Sequence, residues 1–225
     1  MLSRGAKAAF YFAAGPGMKV NAWIYRAFRA PRSGVVRVHL GPGQRDYLPD
    51  WVNVDANMFT AKCDLWANLA DGLPFPDGTV DAIYSHHVIE HLPDLGFHFA
   101  EMFRVLKPGG VFRIGGPNGD AAIRKYVAGD HGWFSDFPTN RKSVGGRFEN
   151  FIFCRREHLT ILTPSFLEEL AIGAGFHDFQ TAPANTRTQY PELFDSPVLA
   201  LEKESTPECP HTLIVEACKP KASKP

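Results

Sequence analysis

The feature that most constrains this chain of 225 residues is a short apolar run ending on glycines, followed almost at once by another ending on an acid. Val35 to Leu40 (VVRVHL) is β-branched and runs into Gly41-Pro42-Gly43, while Trp51 to Val54 is apolar and stops at Asp55. These read as a strand, a tight loop, a short connection and a second strand. Only Gln44 to Asp50 lies between, with Pro49 among them. A full helical crossover takes about a dozen residues, so one helical turn must suffice.

Strand-like and helix-like segments go on alternating, which predicts an α/β domain with a parallel sheet. Ala61 to Leu65 reads as a weak strand and Leu73 to Gly78 (LPFPDG) as an exposed loop. Val80 to Ser85 is a buried strand. Phe99, Met102, Phe103 and Leu106 share a helical face within Phe97 to Leu106, and Lys107-Pro108-Gly109-Gly110 then turns the chain into a strand at Val111 to Ile114. Residues 119 to 150 have many aromatics and glycines but little periodicity, so a lid or mobile insert, reaching to about residue 165, is expected there. Ser165 to Ala171 reads as a helix, and Phe176 to Thr181 and Thr212 to Cys218 as the last strands. The Lys- and Pro-rich tail, 221–225, is expected to be disordered.

Composition narrows the function. Twenty-four Lys+Arg balance twenty-four Asp+Glu, so the chain lacks the positive field of most nucleic-acid binders, and no nucleic-acid partner is expected. Cys63, Cys154, Cys209 and Cys218 form no C-x-x-C pair, which argues against a zinc knuckle or redox motif and for a cytoplasmic setting. The start, MLSRGAKAAFYFAAGPGM, looks like a signal peptide until Gly15-Pro16-Gly17 interrupts it. No apolar run approaches the roughly 18 residues of a spanning helix. Residues 1–34 are expected to form a helical cover over the domain. Their aromatics (Phe10, Tyr11, Phe12, Trp23, Tyr25, Phe28), interleaved with Arg26 and Arg29, also suit peripheral membrane contact.

Glycines after a strand let backbone approach a ligand, and an acid at the next strand's tip can accept hydrogen bonds from both hydroxyls of a ribose. Gly41, Gly43 and Asp55 fit these roles. A dinucleotide site would want a third glycine where this chain has Asp46, and G-x-x-x-x-G-K-[ST] is absent. The ligand expected is therefore free of phosphate, such as an adenosine carrying an amino-acid tail.

With HLGPGQR (39–45), WVNVDAN (51–57), CDL (63–65), LPFPDGTVDAIYSHHVIEHL (73–92), RVLKPGGVFRI (104–114) and LEELAIGAGF (167–176), the chain resembles the class I S-adenosylmethionine-dependent methyltransferases of the type-11 domain family. The resemblance implies a Rossmann-like, doubly wound, mostly parallel seven-stranded sheet with an antiparallel last strand, over residues 35–220. It implies S-adenosyl-L-methionine as cofactor and a hydroxyl or amine of a small molecule, such as a saccharide or lipid-linked precursor, as methyl acceptor. Leu40, Gly41, Pro42 and Gly43 would line the methionine portion, Asp55 and Ala56 the ribose, Asp64 and Leu65 the adenine, and Ser85, His86 and His87 would close the site. His39 and Arg45 stand where many members have an acid and a third glycine. A non-catalytic binding domain of the same fold is the competing reading.

His87-Val88-Ile89-Glu90-His91 is also a literal H-x-x-E-H, which on a helix would set two histidines on one face as in inverted zinc peptidases. The resemblance gives this segment a helix-start role without metal, so no metal is expected and a zinc hydrolase is the remote alternative. His87 and His158 are the candidate catalytic bases. Tyr126, His131, Trp133, Phe134, Phe137, Arg141, Arg147 and Phe148 in the insert are candidates for acceptor recognition.

Overall fold

A computed structural model describes residues 4–221; residues 222–225, the bulk of the expected disordered tail, lie outside the described residues. Seven strands form one sheet in the order β3-β2-β1-β4-β5-β7-β6. They are β1 (Arg37–Leu40), β2 (Val52–Asp55), β3 (Leu65–Trp66), β4 (Val80–His86), β5 (Leu106–Pro117), β6 (His177–Ala182) and β7 (Thr212–Cys218). Neighbours from β3 to β5 pair parallel, and β7 pairs antiparallel with both β5 and β6. This is the mostly parallel, doubly wound sheet expected, with the last strand reversed. No helix separates β1 from β2: residues 43–45 make a single turn, fastened by the Asp46 N–H to the Pro42 carbonyl at 3.1 Å.

Helix α1 (Arg4–Ile24) runs unbroken through Gly15-Pro16-Gly17 and ends in a wide turn at Tyr25–Arg29. Asn21 holds it by donating to the Trp66 carbonyl at 2.8 Å, Gly17 lies against the Trp66 ring, and Tyr25 meets Phe75 edge to face. Its opposite face leaves Phe12, Val20 and Trp23 exposed. Among the described residues no helix is long and apolar enough to cross a membrane.

The sheet has two unlike faces, because successive side chains on a strand alternate sides. Val38, Leu40, Val54, Ile83, Phe112, Ile114, Leu213, Val215 and Ala217 lie on one face, in the main core under α2 (Leu95–Val105) and α5 (Pro164–Ala174). The other face carries His39, Asn53, Tyr84, Arg113 and Glu216, all buried, beneath loops and the short α6 (Ser196–Leu199). Asn53 there accepts from the Leu48 N–H and donates to the Leu48 and Trp51 carbonyls, fixing the loop that replaces the first helix. Arg113 forks onto Glu202 at 2.6 Å, pairs with Glu216 at 2.6 Å and donates to the carbonyls of Pro183 and Arg187.

The insert departs from its expected irregularity. It folds into α3 (Gly119–Val127), one turn at His131–Trp133 and α4 (Val144–Phe153). Asn118 and Ser143 cap the two helices by accepting from the Ala121 and Gly146 N–H groups. Ala121, Ala122, Trp133, Phe134 and Ile152 make a separate small core, against which Phe148 and Phe151 pack. Gly145-Gly146 inside α4 hid it, since glycine is a poor helix former.

Candidate active site

A cleft of about 640 Å³ opens at the carboxyl ends of β1, β2 and β4. Such a volume suits a ligand of drug or cofactor size. One wall is α1, through Phe10 and Tyr11. Gly41 follows β1; Asp55 ends β2, and Ala56, Asn57 and Phe59 follow it; Asn68, Leu69 and Ala70 follow β3. His87, Val88, His91, Leu92 and Pro93 follow β4, and Arg156, Glu157 and Leu159 close the far end.

Asp55 anchors the near end. Its Oδ1 accepts from the Asn57 N–H at 2.7 Å and its Oδ2 from the Gly43 N–H at 3.1 Å. A carboxylate has about four lone-pair sites, so each oxygen keeps capacity for a further donor. Gly41 has φ +72°, and a Cβ there would lie 2.3 Å from the Val88 side chain, so closeness to Val88 by itself demands glycine. Gly43 also has positive φ but faces open space.

The remaining expected cofactor residues are placed differently. Leu40, Pro42 and Leu65 are buried, off the cleft wall. Asp64 accepts from the Asn53 backbone N–H at 2.8 Å, from its side-chain amide at 2.9 Å and from the Tyr47 hydroxyl at 2.9 Å, bracing the loops instead of lining the cleft. The turn Asn68–Ala70, capped by the Asn68 side chain, occupies the wall in its place. Ser85 sits inside β4 with its hydroxyl unpartnered, and burial presses the imidazole of His86 down to about 3. Of that trio only His87 reaches the cleft.

His87, held at φ +55°, directs its Nδ1 at Glu90 Oε1, 3.2 Å away, while Thr212 Oγ1 lies 3.5 Å from its Nε2. Glu90 is 1% exposed, yet His87 and His91 overcome its burial and keep its carboxyl below the ordinary range. The H-x-x-E-H segment is not a helix: Ile89–His91 is a single tight turn, so His87 and His91 do not share a helical face. His158 arrives from beyond α4. Its Nε2 is 4.0 Å from Glu90 Oε1 and its ring 5.0 Å from that of His91, while burial pushes its pKa down. The two expected catalytic histidines therefore converge on one buried carboxylate, although only His87 lines the cleft.

None of the insert's eight expected acceptor residues lines the cleft. Trp133 and Phe134 fill the insert's own core, Tyr126 stacks on Phe148, and Arg147 is engaged by Asp136 and the Phe134 and Arg141 carbonyls. The stretch just after α4 reaches the cleft instead. Cys154, Arg155 and Arg156 all have positive φ there, a strained path for non-glycine residues. Sequence reasoning missed Phe10, Tyr11, Asn68 and Arg156. Only the aromatic crowding near the amino terminus signalled any of them.

Comparison with known proteins agrees with this geometry. The family described as "Methyltransferase domain" matches residues 14–114. A Mycolicibacterium smegmatis protein named as a probable S-adenosylmethionine-dependent methyltransferase is 53% identical over 51 residues, 23% of this chain and 20% of that protein. Sterol 24-C-methyltransferase erg6 of Aspergillus fumigatus is 50% identical over 42 residues, 19% of this chain and 11% of its own length. The chain thus spans a fifth or less of these curated relatives. Among solved structures, an S-adenosylmethionine-dependent methyltransferase of Thermotoga maritima superposes with TM-score 0.50 at 18% identity, over 96% of each chain. Phosphoethanolamine N-methyltransferase 2 of Haemonchus contortus, in complex with S-adenosyl-L-methionine, gives 0.52 at 14% identity, over 90% of this chain and 53% of that one. Residues 14–114 thus match a methyltransferase domain of the type-11 family, and the chain shares the fold of the S-adenosylmethionine-dependent methyltransferase structures it superposes on.

Proposed function

We propose that this chain binds S-adenosyl-L-methionine across the tips of β1 and β2 and transfers its methyl group to a hydroxyl or amine of a small-molecule acceptor, a saccharide being the preferred class. The observation that carries this reading is the Asp55 carboxylate at the cleft wall, with lone pairs to spare for two ribose hydroxyls. Phosphate would meet no glycine-rich cradle at this loop, so a phosphate-free nucleoside suits it better. Asn68, Leu69 and Ala70 offer a flat, mostly apolar wall for a base, and Phe10 and Tyr11 exclude water from above. The cofactor supplies a methyl group on cationic sulfur. The protein's own work is to align the acceptor, keep water out and, for a hydroxyl, remove its proton.

His87 is the base in this reading. With Nδ1–H donated to Glu90, its Nε2 keeps the lone pair that takes a proton, and the ring is half exposed at the cleft. Arg156, His91 and Glu157 at the far end suit a polyhydroxylated acceptor. Calorimetry tests the core of the proposal: Asp55→Ala should weaken S-adenosyl-L-methionine binding at least tenfold, as expected for losing a hydrogen bond to a charged group worth about 1.5–3 kcal/mol. Unchanged affinity would sink it. His87→Ala should lower kcat while leaving cofactor affinity within about twofold, a split that steady-state kinetics and calorimetry read separately. A binding module without turnover would pass the first test and show no methyl transfer to any acceptor.

A further inference from the structure

Two imidazoles and a carboxylate meet behind the acceptor end of the cleft in an arrangement that neutral hydrogen bonding does not satisfy. His91 Nδ1 lies 3.0 Å from the Glu157 carbonyl oxygen, and His158 Nδ1 lies 2.9 Å from the Ile152 carbonyl oxygen. A carbonyl only accepts, so both Nδ1 atoms carry a proton, and in the neutral rings both Nε2 atoms present lone pairs. Both Nε2 atoms lie near Glu90 Oε1, 3.8 Å away for His91 and 4.0 Å for His158. Three acceptors facing one another repel unless something positive lies between them.

We propose that Glu90, His91 and His158 bind a divalent first-row transition cation such as Mn²⁺, Co²⁺ or Zn²⁺. Their donor atoms all lie within 4.8 Å of one another. With two sides of the triangle 3.8 and 4.0 Å and the third within 4.8 Å, its centre lies about 2.3–2.5 Å from each atom, within a few tenths of an ångström of the ~2.0–2.2 Å of nitrogen and carboxylate bonds to zinc. Two nitrogens and one oxygen favour these ions over Mg²⁺ or Ca²⁺, which prefer oxygen alone. The backbone carbonyls behind each Nδ1–H set tautomer and ring orientation as outer-shell partners do at metal sites. His87, donating to Glu90 Oε1, orients the carboxylate. The other oxygen, Glu90 Oε2, lies toward Gly116, buried and with no hydrogen-bond partner. His91 lines the cleft, so open coordination positions would face it. A role for the cation in drawing the proton from an acceptor hydroxyl rests on the methyl-transfer reading; the binding site itself does not.

This geometry differs from the inverted-peptidase pattern of the sequence. The histidine that joins His91 is His158 from beyond α4, not His87, and an expectation of no metal drawn from residues 87–91 alone could not register it.

The test uses the full chain, free of any tag, stripped with chelator and carrying His177→Ala, so that the exposed His177–Asp178–Cys218 group contributes no signal. Co²⁺ titration followed by visible d–d absorption, without S-adenosyl-L-methionine, should saturate at one ion per chain, with Zn²⁺ displacing it. His158→Ala and His91→Ala should each weaken Co²⁺ binding at least tenfold. His91 is half exposed, so its variant is expected to keep the parent's thermal melting and to answer the question should His158→Ala or Glu90→Gln fail to fold. Absence of a stoichiometric site in the His177→Ala protein, or equal affinity in a folded His91→Ala variant, overturns the proposal. A cobalt site without S-adenosyl-L-methionine binding would instead leave it standing and remove the methyl-transfer reading.

Discussion

The two faces of the sheet solve the same burial problem by different chemistry. Phe112 and Arg113 are neighbours on β5, both fully buried, and point opposite ways. Phe112 meets Phe99 and Phe176 edge to face beneath α2 and α5. Arg113 meets two glutamates and two backbone carbonyls beneath the loop between β6 and β7. Regular helices satisfy their own backbone groups and offer an apolar stripe, so the strands facing them need only pack. Irregular covers leave carbonyls and N–H groups that something must satisfy. On this protein the strands send polar side chains to do it: Asn53 for the loop after β1, and Arg113 and Glu216, joined by Glu202 of the loop itself, for the loop after β6.

The sharpest way to break this contrast is to change the two neighbours separately. Arg113→Met should cost about 3–5 kcal/mol in urea unfolding, because Glu202 and Glu216 stay buried without their cation. Phe112→Leu, nearly conserving volume, should cost no more than about 1.5 kcal/mol. Equal costs would mean that the polar face is not held by its ion pairs. Next in size, Asn53→Ala should lose about 1–3 kcal/mol, since the Leu48 N–H and two carbonyls lose their partner, and should expose residues 44–50 to proteases. An Asn53→Ala protein as stable and protease-resistant as the parent would show that the loop holds without it.

The smallest effect refines the comparison through pH. His98 lies on α2, in the face otherwise apolar, with both ring nitrogens unpartnered, and burial presses its pKa from 6.5 to about 4. The unfolded chain then binds more protons than the folded one between those values. Stability is fully present above pH 6.5 and falls as pH drops toward 4, by about 2 kcal/mol at pH 5 from this residue. His98→Leu should remove that part of the slope. His39, held at about 4 by burial on the other face despite its bond to Asn53, should leave a second share of acid sensitivity in place. A slope unchanged by His98→Leu would assign the acid loss elsewhere.

How much of this was legible in the sequence divides along the same line. β1, β2, β4 and α2 were readable because their apolar spacing matched the period of the element. The position of Asp55 at the cleft wall was readable because a strand that ends on an acid beside a G-x-G loop sets that acid at the sheet's carboxyl edge. The polar face was not, since a buried arginine or asparagine looks the same in sequence as an exposed one until its partners are known, and those of Arg113 lie far along the chain. The helices of the insert are hidden by the glycines within α4, and spacing does not distinguish aromatics such as Trp133 and Phe134, which fill a core of their own, from aromatics that meet a ligand. His87 and His158 were each singled out alone; their meeting at Glu90 depends on the path from Cys154 to Arg156, which no propensity predicts.

The roof of the cleft has a consequence for kinship. Phe10 and Tyr11 stand upstream of the stretch that matches the shared domain, on a helix fastened chiefly through Trp66 and its neighbours. On the proposed reading, two proteins with identical domains would therefore hold the same cofactor for very different lengths of time, their residence set by a helix that changes without disturbing any strand.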